Sequence, residues 1–565
     1  MSDLGLYQPL VQTDWQHGFG FHWYSDAAGY LSTTGKIDTR HDGLVMLYTN
    51  NTSSDTNNNA KSGFVVFNGA LYSWGAAGLR KYSGGSWAAV SGAAAAVNHA
   101  INAGDYLLFA PNTTRVQKMN TSDTVSDAGL NASSTDYKWL IIHNGFIYAG
   151  KDATNQVYYD SNADLSALQG TTSDPNIIYC GIGNIPTLGA IVFAGNLYVS
   201  RQDGLWIIGE DRIARRVLDF SNEISSNNFR SMAVINGYLV FPIRDQLYQW
   251  NGARVATITP PKVTDTFPYV TYGRFTNFIA SDNYLYCIAR TNETTYQEVL
   301  LAWDGVGWHK LADLVTNGTD TITALGYDSV NNFLWYHLDS TADVTYYIQQ
   351  QNFSPFPYAN FPTSGTHSVI SSRLDMGFRR VKKSMSSLLV EARNCSSTRY
   401  ISVYYQLDND GTWHLWDTIT TNGIIELTDP GSEKTREFDH LNLRFDLTTN
   451  DTAQSPIMES WTLRFIMRPN VLWGFSFYII AATEGQHAVS EDERTAAEIR
   501  EEILELRDSK SPIKLIDPIG IEHIGYITSV QGQPAARTPG EDGEPDDIEM
   551  RWLVNFASVE AEDAD

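Results

Sequence analysis

The first two-thirds of the chain repeat one pattern of hydrophobic and polar positions. A short apolar run ends at a two-residue turn, and a second run rich in aliphatic and aromatic residues follows it. Asn-Gly pairs supply the positive φ angles that a tight hairpin requires, so the pattern predicts a series of β-hairpins. The turn pairs are Asn68-Gly69, Ala103-Gly104, Asn144-Gly145, Ala194-Gly195, Asn236-Gly237, Asp282-Asn283 and Asn331-Asn332.

The spacing of these turns points to a repeat architecture. The five glycines are separated by 35, 41, 50 and 42 residues, and Asn283 and Asn332 follow after 46 and 49. Each interval matches one four-stranded propeller blade. An aromatic-rich third strand such as Gln246–Trp250 often follows the hairpin. The sequence therefore predicts a six- or seven-bladed β-propeller over residues 41–362, with a long β-sandwich or a β-solenoid as the alternative.

The repeat stops at a proline-rich linker that contains Pro355, Pro357 and Pro362, because proline blocks strand continuation. Alternating strands follow over about a hundred residues, which is typical of a β-sandwich. We assign residues 363–469 to a β-sandwich and residues 1–40 to an N-terminal extension or docking segment. The predicted sandwich strands include Ser386–Ala392, Tyr400–Leu407, Leu441–Leu447 and Met458–Phe465.

The last hundred residues have a different pattern. Ser490 and Glu493 form a capping box, and apolar residues then recur at helical spacing, which predicts an amphipathic helix over residues 491–508. Three strand-like runs follow this helix, so residues 470–565 are expected to form a small α+β domain. The predicted fold class is thus mainly β, with a propeller, a sandwich and this C-terminal domain.

The amino-acid composition supports a strand-rich fold with hydrophobic cores. Apolar residues make up 42% of the chain, aromatic residues 12% and charged residues only 18%. Cys180, Cys287 and Cys395 lie more than a hundred residues apart, which argues against a disulfide framework and favours folding in a reducing cytoplasm. No signal peptide is expected at the N-terminus, and the longest apolar stretch, Val471–Ala482, is too short to span a bilayer.

The net charge of the chain limits the classes of partner that it can bind. The net charge is −25 and the sequence pI is near 4.8. Phosphate contacts require Lys or Arg, and anionic membranes repel acidic surfaces. We therefore expect no direct contact with nucleic acid and no membrane insertion.

Candidate chemistry is sparse. The sequence has no His-Glu-x-x-His pair, no Gly-x-Ser-x-Gly elbow and no phosphate-binding loop. Histidines such as His143 and His309 are interpreted as structural or surface groups. The segment Asp408–Gly411 begins like a calcium loop but lacks the downstream bidentate Glu, so it is interpreted as a hairpin turn. We predict no catalytic, cofactor-binding or metal-binding residue and no cofactor, although a glycosidase-like carboxylate pair from distant blades stays open.

Several segments of the chain together carry a family resemblance. They are Asp14–Gly20, Gly35–Thr39, Ser372–Gly377, Val403–Leu407 before Gly411–Trp413, Arg444–Asp451, Ser455–Met458, Leu506–Ile513 and Asp517–Gly520. These segments resemble structural proteins encoded among bacteriophage tail genes. The resemblance implies a propeller followed by a sandwich, folding in the host cytoplasm, a position in the virion at the tail tip, baseplate or fibre complex, and no catalytic residues to transfer.

Three functions follow from these observations. The first is a non-enzymatic tail component that assembles with other virion tail proteins, as a cyclic homo-oligomer of threefold or sixfold order. The second is a receptor-binding protein that recognises host-surface glycan through the propeller or the sandwich. The third is a glycan-degrading, tailspike-like enzyme.

Overall fold

The structure is a computed structural model of the chain. The residues that it describes are 7–13, 15, 31–41, 43–55, 60–112, 115–128, 136–151, 153–161, 176–183, 185–260, 271–281, 283–292, 294–340, 343–350, 360–376, 382–408, 410–428, 437–468, 473–481, 496–509, 513–516, 522–534 and 550–561.

The described residues form a mainly β fold of antiparallel sheets, as the aromatic-rich and charge-poor composition predicts. Five strands precede the repeat region, and they pair with strands that lie far away in the sequence. These are β1 (Tyr7–Gln12), β2 (Leu31–Thr34), β3 (Ile37–Asp38), β4 (Val45–Leu47) and β5 (Thr52–Asp55).

Seven four-stranded antiparallel sheets follow, here named sheets 1 to 7 in chain order. Sheet 1 contains β6 (Gly63–Phe67), β7 (Ala70–Trp74), β8 (Arg80–Ser83) and β9 (Ser86–Ala89). Sheet 2 contains β10 (Val97–Asn102), β11 (Tyr106–Pro111), β12 (Gln117–Asn120) and β13 (Val125–Asp127). Sheet 3 contains β14 (Tyr137–His143), β15 (Phe146–Lys151), β16 (Gln156–Ser161) and β17 (Ile177–Tyr179). Sheet 4 contains β18 (Thr187–Phe193), β19 (Asn196–Arg201), β20 (Gly204–Ile208) and β21 (Ala214–Asp219).

The last three sheets repeat the same up-and-down order. A short 3-10 helix, Ser221–Glu223, precedes them. Sheet 5 contains β22 (Ala233–Ile235), β23 (Tyr238–Ile243), β24 (Gln246–Trp250) and β25 (Val255–Thr257). Sheet 6 contains β26 (Tyr272–Ala280), β27 (Leu285–Thr291), β28 (Glu298–Trp303) and β29 (Trp308–Val315). Sheet 7 contains β30 (Thr321–Asp328), β31 (Phe333–Asp339) and β32 (Val344–Gln349), with β5 as its fourth strand.

The predicted turn pairs fall between the first and second strands of the seven sheets. Asn68, Asn144 and Asn236 have φ angles of 46°, 48° and 49°, and the glycine after each also has a positive φ. Two successive positive φ angles define the type I′ turn that suits a twisted hairpin. The hairpin pattern is therefore confirmed, although Asp282 of the sixth turn lies outside the described residues.

Apolar clusters join each sheet to the next. One cluster is shared by sheets 1 and 2, and equivalent clusters join each later pair of neighbours up to sheets 6 and 7. A further cluster returns to the beginning, because Trp335 of sheet 7 packs against Phe64 and Trp87 of sheet 1. The Trp87 and Trp335 rings meet edge to face with centroids 5.5 Å apart. The sheets thus pack in cyclic order.

Two further sheets share the largest core and form what we name the two-sheet unit. One sheet has the order β3-β4-β40-β34-β37, with β1 paired to β40 and β38 paired to β34, and the other has the order β2-β33-β39-β35-β36. The additional strands are β33 (Ser368–Ser371), β34 (Lys382–Arg393), β35 (Arg399–Leu407), β36 (His414–Ile419), β37 (Gly423–Thr428), β38 (Glu437–Phe438), β39 (Leu441–Thr449) and β40 (Ile457–Arg468).

The strand pairing moves the boundary that the sequence suggested near residue 40. Strands β1 to β4 belong to the two-sheet unit, and β5 belongs to sheet 7. Val45 pairs with Met458, more than four hundred residues away. The described part of residues 1–40 is therefore divided among sheets. Strands this short carry no local sequence pattern that predicts a partner at that distance.

The C-terminal residues form one sheet of order β41-β44-β43-β42, with a helix against β43. Ile503 of the helix is buried. The helix ends one residue beyond the predicted end, while the capping box at Ser490 and Glu493 lies outside the described residues. No described helix is both long and apolar enough to cross a membrane. The elements are β41 (Trp473–Ala481), α1 (Ala496–Ser509), β42 (Ile513–Ile516), β43 (Glu522–Pro534) and β44 (Met550–Ala561).

Candidate functional site

A pocket of about 320 Å³ opens where the first strands of sheets 5, 6, 7 and 1 begin. We name it the arginine pocket, because Arg230, Arg274 and Arg290 line it together with a single acidic residue, Glu298. Most of the remaining lining is hydroxyl or amide. These side chains belong to Ser62, Ser231, Thr276, Asn277, Thr321 and Thr323. The lining therefore has an excess of positive charge in a chain whose net charge is −25.

Strand β26 shapes the pocket through two irregularities. Its register against β27 shifts between Gly273 and Thr276 and again between Thr276 and Ile279. Arg274 and Asn277 have positive φ angles of 46° and 54°. Bulges of this kind redirect side chains and concentrate beside functional sites, where the surrounding structure must hold a strained backbone.

Two hydrogen bonds hold this strained strand between its neighbours. Asn277 Nδ2 donates to the Ile322 carbonyl of sheet 7 at 3.0 Å. The Phe278 backbone N–H donates to Ser231 Oγ, just before sheet 5, at 2.9 Å. The wall that presents Arg274 is therefore fixed on both sides.

Arg290 is the arginine whose charge is balanced. Its Nη2 lies 2.5 Å and its Nε 3.1 Å from Glu298 Oε1, and its guanidinium lies 3.8 Å from the Tyr296 ring centroid. The other Glu298 oxygen accepts the Ile322 N–H at 2.6 Å. Glu298 is buried, and both of its oxygens have partners, so its carboxylate is occupied with Arg290 and the backbone.

Arg274 and Arg230 lack such a partner. Within the described part of the chain, neither guanidinium forms an ion pair or a hydrogen bond. Burial lowers the pKa of Arg274, and the neighbouring guanidiniums of Arg290 and Arg230 lower it further. Arginine stays protonated in proteins even so. The pocket therefore holds two guanidinium charges that form no ion pair with a described carboxylate.

This arrangement suits binding of an anion. Guanidinium groups match carboxylate and phosphate oxygens through paired N–H donors, and the volume lies within the range of small-ligand pockets. Glycoside hydrolysis needs two opposed carboxylates, whereas the described lining offers only Glu298.

A second polar cluster lies at the opposite end of sheet 6, and we name it the junction. Arg40 donates from Nη2 to Asp38 Oδ2 at 2.8 Å and from Nε to Asp38 Oδ1 at 2.9 Å. Its Nη1 donates to the Tyr286 hydroxyl of sheet 6 at 2.7 Å and to Gln350 Oε1, which follows sheet 7, at 3.1 Å. Both charged side chains are almost completely buried. Asp38 belongs to β3, so the junction links the two-sheet unit to sheets 6 and 7.

The junction is neutral and its polar atoms are satisfied. Burial alone would raise the pKa of Asp38, but the charge and hydrogen bonds of Arg40, with help from His41, hold that pKa well below its usual range. Gln350 Nε2 donates to the Tyr48 hydroxyl at 2.7 Å, and the Arg40 guanidinium packs over the Tyr48 and Tyr284 rings. A buried pair with this many partners fixes one relative arrangement of its elements.

The residues considered from sequence have structural contacts. His309 is buried between Thr39 Oγ1 at 2.8 Å and Asp304 Oδ2 at 3.3 Å, and His143 ends β14. Asp408 Oδ1 accepts two backbone N–H groups, and Asp410 Oδ1 accepts the Thr412 N–H at 2.8 Å.

These aspartates lie between the paired strands β35 and β36, although Asn409 itself is outside the described residues. No group of three His, Cys, Asp or Glu side chains able to hold a metal ion occurs in the described ranges. Asp410 thus has the contacts of a hairpin turn, whereas the two N–H groups that Asp408 accepts belong to Asp439 and His440 before β39.

Sequence reasoning assigned no site residue and missed both clusters. A signal for the pocket does exist: Tyr272, Phe275 and Phe278 are three residues apart and all buried. A regular strand buries every second residue, so a period of three in a strand requires bulges. For the junction, the short segment Ile37–Arg40 gives no comparable signal.

Comparisons with known proteins identify no family. No family model and no curated protein matches the chain. Among solved structures, the computationally designed protein Ika8 is 10% identical with a TM-score of 0.35, over 52% of this chain and 98% of that one. The extracellular domain of a hybrid two component system from B. thetaiotaomicron is 11% identical with a TM-score of 0.40, over 73% and 62%. A mitotic checkpoint complex is 11% identical with a TM-score of 0.39, over 54% and 96%. None of the three is phage-related, and at these scores they support no conclusion about function.

Proposed function

We propose that the chain is a structural component of a bacteriophage tail, built on a seven-bladed β-propeller whose blades are sheets 1 to 7. The cyclic order of the apolar clusters supports the propeller, as does the completion of sheet 7 by β5 from the N-terminal side of the repeat. Radially packed blades give a rigid body with broad faces and protected edges. The two-sheet unit is then the β-sandwich of the same protein.

The observation that carries this proposal is the junction. Domains of one chain ordinarily move relative to each other unless their interface is extensive. Here Arg40 and Asp38 are buried together between the two-sheet unit and two of the seven sheets. Thr33 Oγ1 adds a further bond to the Lys310 carbonyl at 3.3 Å. A part that must hold its neighbours in fixed positions benefits from such a rigid connection.

The partners in this proposal are other tail proteins and further copies of the same chain. Closed cyclic symmetry is the usual outcome of repeated heterologous contacts, and threefold or sixfold order suits a tail. The chain would be made in the host cytoplasm and then reside in the virion at the tail tip, baseplate or fibre complex. The C-terminal sheet with α1 offers a separate module for anchoring.

Gradient-purified phage particles from the source of this sequence provide the test. We expect mass spectrometry to find the chain at several copies per particle, and antibodies against it to label one end of the tail. Cryo-electron microscopy of the purified chain should show a disc of seven blades. Absence from purified particles would refute the tail role, and an open layered domain in place of the disc would refute the propeller.

The arginine pocket favours a second candidate function, which is recognition of a host-surface glycan. It is concave, rich in hydroxyl and amide groups, and positively charged. The two functions are compatible, because receptor-binding proteins are themselves parts of the tail.

A further inference from the structure

We propose that the arginine pocket binds an acidic sugar, meaning a saccharide residue that carries a carboxylate or a phosphate group. This inference specifies the ligand class of the glycan-recognition candidate. It does not depend on the structural role, because binding would be a property of the isolated chain.

The positive charge of the pocket is the first reason. Arg274 and Arg230 have no ion-pair partner among the described residues, and Arg290 adds a third guanidinium nearby. Like charges at short range repel, so assembling them is unfavourable unless an anion neutralises them. A bound carboxylate or phosphate would accept paired N–H donors from the unpartnered guanidiniums.

The size and the hydroxyl groups of the pocket are the second reason. A volume of about 320 Å³ holds roughly ten water molecules at ~30 Å³ each, far more than one inorganic anion requires. Ser62 and Thr321 have hydroxyls that form no hydrogen bond with another described residue. A polyol attached to the anionic group would use these donors and acceptors and fill the remaining space.

The rigidity of the pocket wall is the third reason. Arg274 lies on a bulged strand at a positive φ, and the Asn277 and Phe278 hydrogen bonds tie that strand to both neighbours. Groups that are fixed before binding lose less conformational entropy when the ligand arrives. The strain at Arg274 thus has a use in presenting its guanidinium.

Isothermal titration calorimetry of the full chain tests the proposal directly. The acidic probes are glucuronic acid, N-acetylneuraminic acid and glucose 6-phosphate, and the reference probes are glucose and inorganic phosphate. We expect at least one acidic sugar to bind at least about tenfold more tightly than glucose and than inorganic phosphate, since each charge-assisted hydrogen bond contributes strongly. The preferred acidic sugar then distinguishes a carboxylate ligand from a phosphate ligand.

Matched arginine variants locate the binding. Arg274→Met should weaken binding of the preferred acidic sugar at least about tenfold, and Arg230→Met, at an exposed position, should weaken it by a smaller factor. Arg254→Met removes the same charge from an exposed turn of sheet 5 and should leave binding unchanged. Thermal unfolding shows whether each variant is folded. If Arg274→Met does not fold, Arg230→Met alone provides the test of the binding site.

Three results would overturn the proposal. The first is wild-type protein that binds none of the acidic sugars at millimolar concentration. The second is inorganic phosphate that binds as tightly as the best sugar, which would make the pocket a simple anion site. The third is an equal loss of binding in Arg254→Met and in the pocket variants. None of these results would affect the presence of the chain in purified particles, so the two proposals fail separately.

Discussion

Two arginine clusters occupy opposite ends of sheet 6, and strand β27 contributes to both. Tyr286 belongs to the junction and Arg290 to the arginine pocket, four residues apart on that strand, or about 14 Å at ~3.4 Å per residue. At the junction, the Arg40 side chain is almost completely buried and each of its three guanidinium nitrogens has a partner. In the pocket, Arg274 is only partly buried and has none among the described residues. Satisfied charge indicates architecture, whereas unsatisfied charge in a cavity indicates a ligand.

The largest expected loss of stability, and the strongest test of this contrast, comes from a substitution at the junction. Asp38→Asn keeps the shape of the side chain but leaves Arg40 as a buried, uncompensated charge. Loss of one partner of a buried pair costs about 3–5 kcal/mol. Urea unfolding should therefore show a decrease of that size in the free energy of unfolding. Asp410→Asn, at an exposed position, is the matched control and should stay within about 0.5 kcal/mol of wild type. A change below about 1 kcal/mol in Asp38→Asn would mean that the junction is not what joins the domains.

The pH dependence of stability gives a second test of the Asp38–Arg40 ion pair. The pKa of Asp38 lies well below its ordinary value of 3.8, because Arg40 and His41 outweigh the effect of burial. A carboxylate with a lowered pKa contributes stability above its unfolded pKa and loses it as the pH falls toward the folded pKa. The stability difference between wild type and Asp38→Asn should thus persist from pH 8 to pH 5 and shrink only below about pH 4. A difference that already vanishes between pH 7 and pH 5 would contradict the assigned ion pair.

Glu298→Gln should have opposite effects on stability and on binding. The substitution breaks the ion pair with Arg290 and should lower the free energy of unfolding by about 1–3 kcal/mol. It also releases a third guanidinium toward the pocket, so the affinity for an acidic sugar should rise. Denaturant unfolding and calorimetry on the same sample measure both quantities. Asp38→Asn, still folded in buffer, should leave the affinity unchanged, and a fall in affinity in Glu298→Gln would show that Glu298 itself contacts the ligand.

The smallest expected change in the free energy of unfolding is at Arg274. Arg274→Gly relieves a positive φ that disfavours a side chain by about 1–2 kcal/mol, while added chain entropy removes about half of that gain. The protein should become more stable by roughly 0.5–1 kcal/mol and lose its affinity for the acidic sugar. Ala194→Gly is the matched control, because Ala194 also has a positive φ of 46° but lies in the turn of sheet 4, so it should gain stability without changing binding. Equal binding in both variants would contradict a role for Arg274.

The parts of the fold that sequence predicted are those with a local cause. Asn68-Gly69 and Asn236-Gly237 determine tight hairpins by backbone chemistry alone, and all seven turn pairs mark the first hairpin of a sheet. The apolar period of Ala496, Ile499 and Ile503 likewise predicts the helix. Such features depend on neighbours in the sequence, so the sequence displays them.

The parts that sequence did not predict depend on distant partners. Strands β3 and β4 are two and three residues long, and their place is decided by β40. The pocket gathers Ser62, Ser231 and Thr321 from the beginnings of three different sheets, and the packing of sheet 7 against sheets 1 and 6 brings them together. Even the odd spacing of Tyr272 and Phe275 indicates bulges without indicating which groups will face them.

The placement of β1 to β5 has a consequence for how this protein is made. Strands β1, β2, β4 and β5 leave the ribosome before sheets 1 to 7, yet their partners β40, β33 and β32 are encoded about three hundred to four hundred and fifty residues later. At a synthesis rate of ~5–20 residues per second, they wait roughly 15–90 s with unpaired edges. Fragments cut at residue 41 or 362 would leave these strand edges permanently unpaired, which favours aggregation. Dissection of the repeat region is therefore better attempted by circular permutation than by truncation.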